Sequence, residues 1–127
     1  MTATGMTALG RLGQIALPSS DVDRALAFYR DTLGLKFLFR FDNLIFFDCS
    51  GVRLLIEGSP AVRSDRTGCH YYLVPDIDRA YADLASRGVA FSGEPHLIAR
   101  MPDHELWMAF FKDPDGNALL LHRRFDA

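Results

Sequence analysis

Cysteine is scarce: only Cys49 and Cys69 occur in 127 residues, too few for a disulfide framework. Both lie in apolar-rich segments, where plain buried thiols are expected. Long hydrophobic runs are also missing, and none approaches the roughly 18–20 residues of a membrane span. The opening MTATGMTALGRLG has neither a basic leader nor a continuous apolar stretch, so it does not read as a secretion signal, and the chain is expected to be cytoplasmic. Neither sign of charge dominates. Fourteen Lys+Arg stand against 16 Asp+Glu, a net charge of -2. That balance excludes the basic stripe of a nucleic-acid binder and the polybasic patch of a membrane-surface protein. There is no glycine-rich phosphate loop, since Gly10-Arg11-Leu12-Gly13 lacks the spacing and context of one. No arrangement of Ser/His/Asp or Cys/His stands out as a nucleophile.

What remains is an ordinary globular composition, 49% hydrophobic and 24% charged, of a length that fits one domain spanning 1–127. A chain of this size buries about two-thirds of its unfolded surface and needs no metal or disulfide to hold a core. Its organisation is a duplication. DVDRALAFYRDTLGLKF (21–37) lies against DIDRAYADLASRGVAF (76–91), each copy preceded by a short apolar run ending near a proline. The period, about 55 residues, is too long for a solenoid unit and suits a repeated half-domain.

Val22, Leu26, Tyr29 and Leu33 fall on one face of a helix, and Ile77, Ala80, Tyr81 and Leu84 do the same in the second copy. Ser20 or Asp21 can cap the first helix and Asp76 the second, while Gly34 and Gly88 sit where a left-handed residue ends a helix. The rest reads as strands: GQIALP, KFLFRF, NLIFFDC and VRLLIE in the first half, CHYYLV, VAFSG, ELWMAFF and ALLLHRR in the second. KDPDGN is a turn between the last two. Residues 94–105 are the least regular, with a loop expected around Arg100–His104. Each half is therefore strand–helix–strand–strand–strand, module one about 12–58 and module two about 69–124. The polar stretch 59–68, SPAVRSDRTG, is the expected breakpoint.

A duplicated βαβββ unit with DVDRALAFYRDTLGL opening it and FFKDPDGNALLL closing it resembles the vicinal oxygen chelate superfamily. This is the group of glyoxalase I, bleomycin- and fosfomycin-resistance proteins, methylmalonyl-CoA epimerase and extradiol dioxygenases. The likeness runs from about Leu12 to His122. It implies an α+β fold in which two βαβββ modules pair into an open, cup-shaped mixed sheet with the helices outside. It also implies a homodimer and, in the metalloenzymes of the group, four inward-facing ligands from the first and last strands of each module. Such an ion stabilises oxyanionic charge on its substrate.

Carried over position by position, the resemblance selects Gln14, seven residues before Asp21, and His70, six before Asp76. The last strands offer Leu55 and Leu120, with Glu57 and His122 two residues further on the same faces. Leucine donates nothing to a metal. A two-residue step displaces a side chain by about 6.6 Å, far more than a bond of about 2.0–2.6 Å can absorb.

The favoured expectation is a small-molecule-binding, glyoxalase- or bleomycin-resistance-like protein with an aromatic cup, an incomplete metal site and no cofactor. The alternative is a divalent-metal-dependent lyase, isomerase or dioxygenase holding Zn, Ni, Fe or Mn through Gln14, Glu57, His70 and His122. His70 is the one candidate for a catalytic role, as a base. His104 and Trp107, in MPDHELW, complete the ligand-binding candidates, with an exposed polar turn as the plainer reading of that stretch. His96 is open between the same two readings. The expected partners are a small organic ligand and a second copy of the chain, with neither nucleic acid nor membrane.

Overall fold

The computed structural model describes residues 8–59, 69–100 and 102–126, with the side chains of residues 104, 118 and 120–126 outside that description. The expected breakpoint therefore falls, from residue 60 to residue 68, outside the described residues.

The first half begins with β1 (Gln14–Ser19) and α1 (Val22–Leu26), which widens without a break into a π-helical stretch (Ala27–Thr32). Strands β2 (Lys36–Phe41), β3 (Leu44–Cys49) and β4 (Val52–Gly58) follow. The second half repeats the plan with β5 (Cys69–Leu73), α2 (Ile77–Ser86), β6 (His96–Arg100), β7 (His104–Lys112) and β8 (Ala118–Asp126). Each half forms a four-stranded sheet in the same order, β1-β4-β3-β2 and β5-β8-β7-β6. The first strand is parallel to the last and the other pairings are antiparallel. Even the irregularities repeat, because β2 and β6 each carry a bulge at the same place, between Phe37 and Phe39 and between Leu97 and Ala99. The fold is the α+β pair of βαβββ units that the duplication implies.

Local chemistry explains the elements. Asp21 Oδ1 accepts from the Arg24 amide, and Asp76 Oδ1 from the Arg79 amide, both at 3.1 Å, so both aspartates are N-caps. The helices end at Gly34 and Gly88, whose φ values of +76° and +92° a side chain would resist. Each helix lies across one face of its sheet. Leu17, Ile45, Phe47, Leu54 and Ile56 turn inward beneath Ala25 and Tyr29, and Ala109, Phe111 and Leu119 do so beside Ile77 and Val89. Among the described residues, the opposite faces of both sheets carry no helix.

One strand differs from expectation. VAFSG makes no strand beyond a single bridge from Phe91 to Phe111, and the second strand of module two is instead His96–Arg100, within the segment expected to be irregular. Phe91 is drawn inward between Tyr81 and Phe111, with ring centroids 4.7 and 5.1 Å away, and Gly93 then turns at a φ of +104° before Pro95. Of the loop expected around Arg100–His104, the described part outside strands is residues 102–103.

The DPDGN turn has a larger part than turning the chain. Asp113 Oδ1 accepts the amides of Asp115 and Asn117, while its Oδ2 takes the Tyr29 hydroxyl at 2.6 Å and the Asn117 side-chain amide at 2.7 Å. Asn117 also donates to the Pro18 carbonyl, and Asp115 Oδ1 accepts from the Ser20 amide, the Ser20 hydroxyl and Arg24. This network ties the end of β1 and the start of α1 to the start of β8. It fixes one half against the other through a buried, charge-assisted bond from Tyr29 to Asp113 and more exposed ones from Ser20 and Arg24 to Asp115.

Candidate functional site

Strand register decides which side chains share a face. In β1 and β4, Gln14 lies opposite Arg53, Ala16 opposite Leu55, and Pro18 opposite Glu57. Arg53, Leu55 and Glu57 alternate with the buried Leu54 and Ile56, so these pairs stand on the helix-free face. Leu55 lies between Ala16 and Phe46, and Glu57 between Pro18 and Leu44. The matching positions of the second sheet follow from its own register, in which Tyr71 is opposite Leu120 and Leu73 opposite His122. Leu120 and His122 thus occupy backbone positions equivalent to Leu55 and Glu57, with their side chains outside the described residues.

His70 stands elsewhere. Its register partner is Leu119, which is fully buried, so His70 is on the helix-covered face and on the opposite side of its sheet from the position equivalent to Gln14. Counting from the caps gives the reason. Gln14 lies seven residues before Asp21, and seven before Asp76 is Cys69, not His70. The two halves align with a one-residue correction in this strand, since a slip of one exchanges the faces. Cys69 is exposed and Cys49 half-buried, so the expectation of two buried thiols fails for Cys69.

On its own face His70 makes a defined pair. Its Nε2 lies 2.6 Å from the Tyr72 hydroxyl and the rings meet edge to face at 4.7 Å, while Nδ1 is buried with no partner among the described residues. Burial lowers the proton affinity of His70 below the ordinary value, more than the nearby Asp113 carboxylate raises it. Burial likewise raises the Tyr72 and Tyr29 hydroxyls, with Cys49 and then Asp113 reinforcing the first and Asp113 the second. Both phenols are therefore neutral hydrogen-bonding groups. The Tyr72 hydroxyl and His70 Nε2 share one hydrogen bond, whose direction follows the histidine tautomer.

A cleft of about 940 Å³ runs along the seam between β1 and β5. Its walls include Ala16, Leu17 and Leu54 from the first half and Cys69, His70 and Tyr72 from the second. Trp107 is not part of it. That side chain is half-buried on the covered face beside Ile77 and Asp78 of α2, and its Nε1 donates to Glu105 at 3.2 Å. His104 opens β7 opposite Asp126, with its side chain outside the described residues. His96 stacks on Phe110 with centroids 5.5 Å apart.

The donors do not fit a divalent ion. At the four equivalent positions stand an amide, Gln14, a thiol, Cys69, and two leucines, 55 and 120. Leucine has no lone pair to give, and the next open-face positions along β1 and β5 after Ala16 and Tyr71 are Pro18 and Leu73, which add none. Among the described residues no group of three or more His, Cys, Asp or Glu converges. Nor, among them, is any helix long and apolar enough to cross a membrane.

The fold and this face define a class. The model of the Glyoxalase/Bleomycin resistance protein/Dioxygenase superfamily matches residues 11–121, and the chain belongs to that family. It is similar to the uncharacterized protein YraH of Bacillus subtilis (strain 168), 27% identical over 131 residues, covering 89% of this chain and 98% of that one. Among solved structures it resembles a glyoxalase/bleomycin resistance protein/dioxygenase from Alicyclobacillus acidocaldarius, with a TM-score of 0.76 at 24% identity over 91% of this chain and 92% of the other. It also resembles a lactoylglutathione lyase from Agrobacterium tumefaciens, with a TM-score of 0.71 at 22% identity over 91% and 94%. At these identities the likeness extends to the fold.

Proposed function

We propose that this chain binds a small organic molecule in its cup without a metal centre. One observation carries the reading: leucines stand at both last-strand ligand positions, and the surrounding open-face row, Ala16, Leu55, Phe46 and Phe39, is apolar. Such a surface favours the apolar body of a ligand over an ion and its water. The row reaches the seam cleft at Ala16, its one member in that cleft's wall. Gln14, beside that row on the open face, is proposed to orient the ligand, whereas His70 lines the seam cleft from the covered face. Uncovered apolar side chains on β2 and β5 support a homodimer that shields them, and the chain is read as cytoplasmic.

The alternative, a metal-dependent lyase, isomerase or dioxygenase, has one observation in its favour. Glu57 and His122 occupy equivalent backbone positions on β4 and β8, as a symmetric displaced pair of donors would.

Titration of the neutral dye phenylnaphthylamine, before and after exhaustive dialysis against EDTA, tests the proposal. Saturable binding that EDTA leaves unchanged is expected. Binding that disappears with EDTA and returns with zinc or nickel would favour the enzyme.

A further inference from the structure

Five arginines among the described residues, Arg24, Arg30, Arg40, Arg87 and Arg100, are paired with a carboxylate within 3.1 Å. Arg53 is different. Its guanidinium carbon lies 5.5 Å from the centre of the Phe46 ring and 5.7 Å from that of Phe39, and these two rings stack at 4.5 Å. The contact holds the cation on the open face by its attraction to the rings, and leaves its N–H donors without a carboxylate among the described residues. Asp48, opposite Arg53 on β3, is engaged by the Gly51 amide at 3.0 Å.

The register arranges the face in rows. Gln14, Arg53, Asp48 and Lys36 form one row across the four strands, with two cations against one carboxylate. The next row, about 6.6 Å along the strands, is the apolar set Ala16, Leu55, Phe46 and Phe39. The third contains Glu57 between Pro18 and Leu44.

Resting on the proposal that the cup binds a small molecule, we infer that Arg53 is its anion anchor and that the ligand is an amphipathic monoanion. Its carboxylate or similar group meets Arg53 and the Gln14 amide. Its apolar or aromatic body lies along the second row. Glu57 repels a second negative charge at the far end, which sets monoanions above dianions.

The test compares two dyes that differ in one charged group, anilinonaphthalene sulfonate and neutral phenylnaphthylamine, on the wild-type protein and on Arg53→Gln and Arg53→Lys. The wild type is expected to prefer the sulfonate by about tenfold, as a charge-assisted contact does. That preference should shrink with added salt, vanish in Arg53→Gln and survive in part in Arg53→Lys, while affinity for the neutral dye stays the same. A preference that persists in Arg53→Gln, or equal loss of both dyes, overturns the anchor and leaves the binding cup standing. Failure of both dyes to bind the folded wild type overturns the anchor and the binding reading together.

Discussion

Tyr29 is completely buried, yet its hydroxyl meets a carboxylate at 2.6 Å. Burying Asp113 is tolerable because four donors converge on its two oxygens. Tyr29→Phe keeps the ring packing and removes one of them. It should cost about 1.5–3 kcal/mol in urea unfolding, and a loss below about 0.5 kcal/mol would show that the latch does little. His70 makes a pH-dependent contribution of the opposite kind. Burial holds its folded proton affinity below the ordinary 6.5, so on acidification the unfolded chain takes up a proton before the folded one does. Stability should therefore fall as pH drops from about 6.5 toward the lowered folded value, and that part of the fall should end below it. In His70→Gln the pH profile of unfolding should be flatter across that window; parallel profiles would show that His70 is not the group. From the sequence, the histidine itself was visible but its face was not. An expectation of facing inward toward the cup depended on a count of six rather than seven residues to the cap, and in a strand one residue is the difference between two solvents. Arg53 was invisible for another reason: nothing in VRLLIE says that the neighbouring strand will bring Phe46 beneath it.

Helices were legible because three independent signals agree in each: an aspartate cap, an apolar stripe and a closing glycine. The π-helical widening after Leu26 left no trace in that pattern, since the same apolar positions serve both windings. Strand β6 was misplaced because VAFSG and HLIAR are both short and apolar, and only the packing of Phe91 against Phe111 decides between them. Where elements meet, the structure is tight. A Cβ on Gly58, at the end of β4, would stand 2.9 Å from Val22 Cγ1 of α1 and 3.0 Å from Asn43 Cβ. The Asn43 side chain also donates to the Gly58 carbonyl at 2.9 Å, which leaves the β2–β3 turn little freedom to retreat. Gly58→Ala is therefore expected to destabilise by about 1–3 kcal/mol in thermal or urea unfolding, the usual cost of overpacking. A neutral effect would mean that α1 moves more freely on its sheet than the packing indicates.

At the scale of the molecule, the duplication sets the architecture and its breakage sets the proposed chemistry. Both halves keep the caps, the strand order and the bulge, whereas the ligand positions have diverged to Gln14, Leu55, Cys69 and Leu120. The open faces leave large apolar groups in water, among them Phe41 at 69% and Leu73 at 71% exposure. A second copy related by a two-fold axis is the proposed cover. Light scattering at micromolar concentration should give twice 14.2 kDa, and a value of 14.2 kDa would count against the dimer. Metal content decides whether this member of the family has an organic-ligand cup in place of a metal centre. Untagged protein, equilibrated with zinc and nickel and then desalted, is expected to retain far less than one ion per chain, while Leu120→Glu retains measurably more. A tightly held, near-stoichiometric ion in the wild-type protein would instead place a metal centre in the cup.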